Sequence, residues 1–553
     1  MKNLKTSVIA LVLIAGGIGF AAQAPSEKYF DIARNLDIFA TLVREVNGFY
    51  VDEVNPNRMV KSGIDAMLNT LDPYTNYIPE DEIESYQTMT TGVYGGIGAV
   101  IGRRKDRNII LMPYNGFPAE KAGLKIGDEI LEIDGFDVRK KTSNDVSKLL
   151  KGQAGTKVKL KVLKLGKQSP EVVEFSRERI KVENVPYSGL VTKDIGYVQL
   201  TEFTSDASRG VQKGIEELKA KGATKIILDL RDNPGGLLNE AVNISNLFIP
   251  KDKLVVDTKS RVAEWVKEYK SLNPPFDLES PIVVLLNSRS ASASEIVSGV
   301  IQDYDRGILV GQKSFGKGLV QTTRDLSYRS KLKITTAKYH TPSGRCIQAI
   351  DYTNRGTDGT ARKVADSLRT AFKTANGRVV YDGGGVSPDV EIKREPYTPI
   401  TLSLISKDLI FDYASTYYLA HPTIAKAADF QISDSEYQDF VKWLANKEFD
   451  YTTKVEASIK DLAATAQKEK YYDEIKDQLE ALKKRMAHNK ESDLEKQKAE
   501  IKEVLEQEIV SRYYFEKGAK EAGFDDDPEI QEAIKLLNDP ARYQQILSGP
   551  VRK

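Results

Sequence analysis

The chain has 553 residues, of which 41% are hydrophobic and 29% charged, so it has the composition of a soluble globular protein and argues against wholesale disorder. The 80 Lys and Arg residues balance 79 Asp and Glu residues, which excludes a global electrostatic attraction to nucleic acid or to an anionic membrane. A single cysteine, Cys346, excludes an intrachain disulfide and a cysteine-cluster metal site, and only three histidines argue against a multi-histidine metal centre.

The N-terminus has the pattern of an export signal. Lys2 and Lys5 precede an apolar run from Val8 to Ala22, and small residues follow it. Because this run is shorter than the about 20 residues that a membrane span needs, residues 1–24 are predicted to be a signal peptide, cleaved after Ala22 or Ala24. An uncleaved N-terminal anchor is the alternative. Export without disulfides is typical of the bacterial periplasm or cell envelope, which is the expected location.

The next two segments differ in periodicity. Helical spacing of apolar residues predicts an N-terminal helical domain over residues 25–90. Residues 91–170 then alternate glycines with short strand-like runs and contain two short helical patterns. A small β-module is therefore predicted there.

Strands alternate with helices over residues 171–395, which predicts parallel βαβ units. Continuous apolar runs at residues 225–230 and 282–286 indicate strands buried on both faces. Residues 396–553 are predicted to form a charged helical domain. Within it, residues 453–510 are rich in Lys, Glu, Gln, Ala and Leu, and their mixed charges favour a solvated helical pair or bundle over a partner-binding coiled coil. The predicted fold class is therefore a multidomain α/β protein with helical segments at both ends.

One segment has the arrangement of a nucleophile at the start of a helix. The run Ser-Ala-Ser-Ala-Ser-Glu at residues 290–295 follows a predicted buried strand and precedes an apolar helix. A serine there meets free backbone N–H groups and the positive end of the helix dipole, which favour the negative charge that develops on an attacked carbonyl. Simple helix capping by these serines is the structural alternative.

A base for such a serine is available in Phe-Gly-Lys-Gly-Leu-Val-Gln, residues 315–321. Lys317 lies between two glycines, which allow other backbone to approach closely. On a strand, Lys317 and Gln321 would share one face and point into one pocket. Burial would lower the pKa of the lysine toward neutrality, so that the amine accepts a serine proton while Gln321 fixes its direction. A surface lysine in a turn is the alternative for Lys317 taken alone.

A Pro-Gly-Gly turn at residues 234–236 follows the strand at 225–230, where parallel sheets place ligands. Its backbone N–H groups suit an oxyanion hole, with a plain turn as the alternative. A Ser-His-Asp triad on His340 is a further alternative. Cys346 is interpreted as a packed small residue, and His421 and His488 as surface residues.

Together, these motifs resemble the carboxyl-terminal processing peptidases, also called tail-specific proteases. Thr-Pro-Ser-Gly-Arg at 341–345 and Gly-Gly-Gly-Val-Ser-Pro-Asp at 383–389 add to a likeness that extends in order over residues 30–395, with Arg289 and Cys346 as departures. The resemblance implies that Ser292 is the nucleophile, Lys317 its general base and Gln321 the orienting partner of the lysine. It implies an oxyanion hole from the N–H groups of Ala293 and Gly235, with Gly235 preferred over Gly236. It also implies a crotonase-like core of ββα units that needs no metal or cofactor.

The same family carries a PDZ domain, and residues 91–170 occupy its place. The run Tyr94-Gly95-Gly96-Ile97-Gly98 looks like the carboxylate-binding loop of such a domain, and residues 117–124 and 127–130 match the PDZ signature. By resemblance, a substrate peptide adds as a strand beside this loop, and the module selects unstructured apolar C-termini.

The predicted function is an exported serine endopeptidase that cleaves proteins near their C-termini through an acyl-enzyme. Its expected partners are proteins or peptides with free C-termini, not nucleic acid, with membrane contact only through an uncleaved N-terminal segment; a homo-oligomer or an adaptor protein stays open. The alternative is a catalytically silent PDZ-containing scaffold of the envelope. The presence of Ser292, Lys317 and Gln321 together weighs against that alternative.

Overall fold

The computed structural model describes residues 27–356, 358–486 and 490–549, so the predicted signal peptide and His488 lie outside the described residues. The chain divides into two compact units. One comprises the described residues up to Glu80 together with residues 321–335, and the other comprises residues 81–320 and those from 336 onward. Among the described residues, no helix combines the length and the apolarity that crossing a bilayer requires.

In its first segment, the described residues up to Glu80, the smaller unit contains two helices and one short strand. Its elements are α1 (Glu27–Phe49), α2 (Pro56–Asn69) and β1 (Asn76–Ile78). Helix α2 begins after Asn55, whose side chain accepts the N–H of Arg58 at 3.1 Å, and Pro56 occupies the first turn, where a missing N–H costs nothing. Strand β1 pairs antiparallel with residues 331–333. The predicted helical character of this segment is thus confirmed, with a strand added at its end.

The larger unit begins with a helix and a β-rich module. Its elements are α3 (Ile83–Thr91), β2 (Val93–Gly96), β3 (Ala99–Arg104), β4 (Arg107–Pro113), α4 (Pro118–Lys121), β5 (Glu129–Ile133), β6 (Phe136–Asp137), α5 (Ser143–Leu150), β7 (Lys157–Leu163), β8 (Glu171–Ser176) and β9 (Glu178–Lys181). Strands run in the order β3-β4-β5-β7-β8, with β6 beside β5, while β2 pairs with β9. The predicted small β-module with two short helices is therefore present.

The central part of the larger unit is an α/β layer. Its elements are β10 (Tyr187–Leu190), β11 (Ile195–Gln199), α6 (Ala207–Ala220), β12 (Lys225–Asp229), α7 (Leu238–Phe248), β13 (Leu254–Lys259), β14 (Lys267–Lys270), β15 (Ile282–Leu286), α8 (Ala293–Asp303), β16 (Ile308–Gly311), β17 (Leu319–Asp325), β18 (Lys331–His340), β19 (Ile350–Arg355), β20 (Ala361–Lys363), β21 (Ala371–Lys373), β22 (Val379–Tyr381) and β23 (Val390–Glu391). Of β17 and β18, residues 321–325 and 331–335 belong to the smaller unit. The main sheet has the order β10-β11-β12-β15-β16-β23, and every neighbouring pair after β10-β11 is parallel. The predicted parallel βαβ units are thus confirmed.

This sheet is buried on both faces, as its continuous apolar strands require. Helices α6, α7 and α8 pack against one face and form the largest core cluster of the chain. The other face holds Tyr197, Ile227, Val283 and Val310, and it is covered by the end of the chain rather than by helices of the central part.

The C-terminal region is helical throughout. Its helices are α9 (Pro399–Ser406), α10 (Leu409–Ala420), α11 (Asp434–Leu444), α12 (Lys454–Glu469), α13 (Tyr472–Met486), α14 (Lys490–Lys496), α15 (Lys498–Ala522), α16 (Pro528–Leu537) and α17 (Pro540–Ser548). Helices α9 to α11 and α15 enclose a core of their own. Helices α16 and α17 instead cover the second face of the central sheet. Residues 524–547 thus complete the core of the central part, which the sequence alone did not predict.

Candidate active site

Ser292 lies at the junction between the central sheet and helix α8. Strand β15 ends at Leu286, and the chain then turns so that Ser292 precedes the first residue of α8. Its backbone has φ 54° and ψ −111°, a region that a residue with a Cβ rarely adopts. Such a conformation costs about 1–3 kcal/mol and persists only where the surrounding structure enforces it. Ser292 is therefore held in a strained position at a helix N-terminus.

The bonds that enforce this conformation come from several sides. The Ser292 N–H donates to Oε2 of Glu295 at 2.8 Å, and the Tyr339 hydroxyl donates to the Ser292 carbonyl at 3.1 Å. Just before it, the Ala291 N–H donates to the Asn233 carbonyl at 3.0 Å. The backbone on both sides of the serine is thus fixed by other segments of the larger unit.

Glu295 connects the serine to the lysine loop. This side chain is completely buried, and its Oε1 accepts the Ser314 hydroxyl at 2.5 Å and the Gly316 N–H at 2.7 Å. Its Oε2 accepts both the Ser292 N–H, at 2.8 Å, and the Lys317 N–H, at 2.9 Å. The two backbone nitrogens that carry the predicted nucleophile and the predicted base therefore meet at one carboxylate oxygen. Burial raises the pKa of Glu295, and its hydrogen-bond donors act in the opposite direction.

The glycines that flank Lys317 allow another segment to approach closely, as the sequence predicts. A Cβ on Gly316 would lie 2.4 Å from the Cβ of Ala349, and one on Gly318 would lie 2.8 Å from the Gln348 nitrogen. The segment between the Thr-Pro-Ser-Gly-Arg motif and strand β19 thus packs directly on the lysine loop. Lys317 itself is half-buried, and it precedes β17 by two residues.

The same-face argument for Lys317 and Gln321 needs correction, because Lys317 is not part of strand β17. The Lys317 N–H donates to Glu295, and the Gly318 N–H donates to the Gln348 side chain at 2.7 Å. Neither N–H group therefore takes part in strand pairing. Gln321 lies in the smaller unit, where its side-chain amide donates to the Thr335 hydroxyl at 3.2 Å. The role of Gln321 beside the amine stays a prediction.

The Pro-Gly-Gly turn approaches the nucleophile closely. Gly235 has φ 98°, and a Cβ there would lie 2.8 Å from the Ser292 Cβ and 2.9 Å from the Ala293 nitrogen. The Gly235 N–H already donates to Oδ1 of Asn233 at 2.9 Å, so it can bind an oxyanion only by exchanging that bond. The N–H groups of Ala293 and Gly236 have no acceptor among the described residues. The pair Ala293 and Gly235 stays the predicted oxyanion hole. Of the two glycines, Gly236 is the one whose N–H has no acceptor among the described residues.

The other candidate nucleophiles and bases lie elsewhere. Tyr339 reaches the Ser292 carbonyl, so its neighbour His340 on strand β18 points to the opposite face and lies 3.5 Å from Asp257. Burial, aided by Lys259, lowers the pKa of His340. Burial raises the pKa of Cys346, which disfavours a reactive thiolate. His421 is exposed and stacks on Tyr417, as a surface residue does.

The predicted carboxylate-binding loop is built from close backbone contacts. A Cβ on Gly95 would lie 2.1 Å from the Gly152 carbonyl, and one on Gly98 would lie 2.5 Å from the Phe117 Cβ. The Ile97 carbonyl accepts the N–H of Ala119 at 2.8 Å, which ties the loop to helix α4. In the described part of the chain, the N–H groups of Ile97 and Gly98 have no acceptor. Two backbone donors are therefore available beside helix α4 for an anionic group.

Comparison with known proteins decides the family. A family model for peptidase family S41 matches residues 194–355, one for a PDZ domain matches residues 112–164, and one for the C-terminal helical domain of probable PDZ-proteases matches residues 400–537. The carboxy-terminal-processing protease of Bartonella bacilliformis is 36% identical over 348 residues, which is 62% of this chain and 78% of that protein. The chain belongs to the carboxy-terminal-processing proteases of peptidase family S41.

Other carboxy-terminal-processing proteases show the same likeness. A probable CtpA-like serine protease of Staphylococcus aureus is 35% identical over 345 residues, 62% of this chain and 68% of that protein. The solved photosystem II D1 C-terminal processing protease is 27% identical and matches 64% of this chain and 86% of its own, with a TM-score of 0.35. The PDZ domain of a carboxy-terminal protease from Vibrio cholerae, solved in complex with peptide, is 37% identical over 16% of this chain and 99% of its own, with a TM-score of 0.16.

In this S41 protease, the backbone N–H groups of the predicted nucleophile and of the predicted base meet at the carboxylate of Glu295, a residue that the sequence analysis did not single out. The signal was present, since Ser292 and Glu295 have the spacing of a capping box, in which the glutamate side chain binds the N-cap N–H. What the sequence did not reveal is that the same carboxylate also binds the lysine loop. No group of three or more potential metal ligands lies together in the described part of the chain.

Proposed function

We propose that this chain is an exported serine endopeptidase that cleaves proteins near their C-termini with Ser292 as nucleophile and Lys317 as general base. The observation that carries the proposal is the carboxylate oxygen of Glu295, which binds the backbone N–H groups of both residues. If Ser292 and Glu295 only capped helix α8, the Glu295 carboxylate would not need to bind the loop that carries Lys317 as well.

The proposed reaction is acyl transfer. The Ser292 hydroxyl attacks the scissile carbonyl while the neutral Lys317 amine takes its proton. The oxyanion that forms is stabilised by backbone N–H groups, from Ala293 and from Gly235 or Gly236. The tetrahedral intermediate then expels the amine of the leaving fragment, which receives the proton from Lys317. A water molecule, deprotonated by the same lysine, hydrolyses the acyl-enzyme and regenerates Ser292. Gln321 is proposed to orient the lysine amine.

The proposed substrate is an unstructured protein tail with apolar terminal residues. The free N–H groups of Ile97 and Gly98 would bind its terminal carboxylate, and the tail would add as a strand beside residues 94–98. A crotonase-like ββα core and location in the periplasm or cell envelope complete the proposal. The tail preference and the export are supported by the sequence resemblance and by the pattern of residues 1–24.

The proposal is tested with a folded reporter carrying an unstructured apolar tail. The native chain should shorten the tail, and Ser292→Ala or Lys317→Ala should abolish cleavage while still binding the tail peptide. Ser288→Ala is the matched control, because Ser288 is exposed in the same turn and should leave cleavage unchanged. A fluorophosphonate should label Ser292 alone. Full activity of Lys317→Ala would refute the dyad, and tail binding without cleavage by the native chain would support the silent scaffold.

A further inference from the structure

Arg231 lies in the loop of residues 231–236, the oxyanion loop, which leads from strand β12 through the Pro-Gly-Gly turn to helix α7. Its side chain is buried. The guanidinium donates to Asp229 at 2.7–3.1 Å, to Asp527 at 2.8 and 2.9 Å, and to Glu529 at 2.9 Å. Asp527 and Glu529 lie at the start of helix α16, 296 and 298 residues further along the chain. One arginine therefore joins the oxyanion loop to the C-terminal helices.

The charges around Arg231 are balanced. Lys520 lies 3.6 Å from Asp229, and Arg394 lies 3.9 Å from Glu529. Three carboxylates thus face three cations in this network. Because an unpaired charge is costly to bury, the arginine is held in one position by its carboxylate partners.

A polar cavity lies between the oxyanion loop and the C-terminal helices. It has a volume of about 180 Å³ and is lined mostly by polar and charged side chains, among them Arg231, Asp232, Asn287 and Asp527. A cavity of this size and polarity has room for several water molecules. On this side the oxyanion loop is therefore held by charge-assisted hydrogen bonds rather than by close apolar packing.

The other end of the oxyanion loop is bound to the turn that carries Ser292. The side chain of Asn233 accepts the Gly235 N–H at 2.9 Å, and its carbonyl accepts the Ala291 N–H at 3.0 Å. A Cβ on Gly235 would lie 2.9 Å from the nitrogen of Ala293, so the two predicted oxyanion donors are close neighbours. A shift of the loop would therefore move one donor relative to the other and to the nucleophile.

We propose that Asp527 and Glu529 are positioning residues for the oxyanion loop, acting through Arg231. The inference rests on the proposed function, because it assigns these residues to the same reaction. They hold the arginine, and the arginine holds the loop where its N–H groups can stabilise the oxyanion. Neither residue is proposed to touch the reacting atoms. The C-terminal helices would thus shape the oxyanion hole from behind.

The double variant Asp527→Asn/Glu529→Gln tests the inference. It removes both charges and keeps the size of the side chains. The Asp527 side chain also caps helix α16 by accepting the N–H groups of Glu529 and Ile530 at 3.1 Å, and asparagine caps a helix as well as aspartate does. We expect kcat for the reporter tail to fall about 10-fold, less than the about 100–1,000-fold that loss of an oxyanion donor costs. KM and tail-peptide binding should not change, because in the described part of the chain no bond of this network involves residues 91–170.

Asp539→Asn is the matched control. Asp539 caps the next helix, α17, by accepting the N–H of Arg542 at 3.0 Å. Among the described residues it has no bond to the network around Arg231, so this variant should keep the native kcat.

A peptide boronate reports on the oxyanion hole itself. The Ser292 oxygen bonds to the boron, the serine proton passes to Lys317, and a boron-bound oxygen takes the place of the oxyanion. The inhibition constant of the boronate should rise about 10-fold in the double variant, in parallel with the fall in kcat. A fraction of unfolded protein would lower the number of boronate sites but would leave the inhibition constant unchanged. The inhibition constant therefore separates positioning from a loss of folded enzyme.

A second control addresses stability directly. Leu547→Ala removes an apolar contact of helix α17 with the central sheet. At a matched loss of unfolding temperature, Leu547→Ala should retain the native kcat and the native boronate affinity, whereas the double variant does not. Equal losses in the two proteins, or native values in the double variant, would overturn the positioning function. Absence of cleavage by the native chain would instead refute the proposed function itself.

Discussion

Replacing Glu295 tests how the serine and the lysine are held together. In Glu295→Gln, the amide nitrogen must take the place of one carboxylate oxygen. Placed at Oε2, it would face two N–H donors, those of Ser292 and Lys317; placed at Oε1, it faces the Ser314 hydroxyl, which can rotate and accept, and the Gly316 N–H. The second orientation is the less costly one, because it keeps both bonds to the residues of the proposed dyad.

The expected magnitude follows from the bonds that are lost. Glu295→Gln loses one hydrogen bond to a charged group, worth about 1.5–3 kcal/mol of the free energy of unfolding. Glu295→Ala removes all four bonds and leaves buried N–H groups unsatisfied, so it should cost more than about 4 kcal/mol. We expect kcat of Glu295→Gln to stay within about tenfold of the native value, and Glu295→Ala to be inactive even below its unfolding temperature.

Urea unfolding of both variants, with cleavage of the reporter tail measured in parallel, checks this reasoning. A conserved m-value should accompany the change in midpoint, since the extent of the folded state is unchanged. Equal effects of Gln and Ala, in stability and in kcat alike, would show that the two oxygens of Glu295 do not act separately. An active Glu295→Ala protein would show that the shared oxygen does not position the dyad.

Three further predictions concern separate parts of the larger unit. Gly235→Ala should abolish cleavage, because its Cβ would lie 2.8 Å from the Ser292 Cβ, and tail-peptide binding should be retained; an active variant would contradict the tight approach. Gly95→Val should raise the Kd for a tail peptide, measured by fluorescence anisotropy, without preventing fluorophosphonate labelling of Ser292, since any Cβ there meets the Gly152 carbonyl. His340 has a lowered pKa in the folded state, so the unfolded state binds the proton first and stability falls as pH drops below about 6.5. His340→Gln should remove that part of the loss, and identical pH profiles of the free energy of unfolding would refute the assignment.

The sequence predicted best where the evidence is local. The serine was predicted at the start of a helix, and it lies there in α8. The glycines around Lys317 were predicted to allow close approach of other backbone, and residues 348 and 349 do approach them closely. The placement of Lys317 on a strand was wrong because its N–H has a side-chain acceptor that is 22 residues away in sequence, and no periodicity reports such a partner. The function of Glu295 was missed for the same reason.

The C-terminal helices show a second limit of sequence reasoning. The apolar positions of α16 and α17 are visible as a pattern, but a pattern does not identify the surface that a helix covers. The strands did contain the complementary information, since Ile227 and Val283 face away from α6 to α8 and require a cover. Among the described residues, α16 and α17 provide that cover more than 200 residues later in the chain.

This long-range closure has a consequence for how the protein matures. The Tyr543 hydroxyl in α17 accepts the N–H of Ile282 at 3.1 Å and donates to the Ile282 carbonyl at 2.9 Å, so α17 is bound to the start of β15, the strand that leads into the nucleophile turn. The ribosome releases that helix more than 200 residues after strand β15, and until then the apolar second face of the sheet is exposed to water. A nascent chain therefore completes its central sheet in one late step, after helices α16 and α17 have emerged.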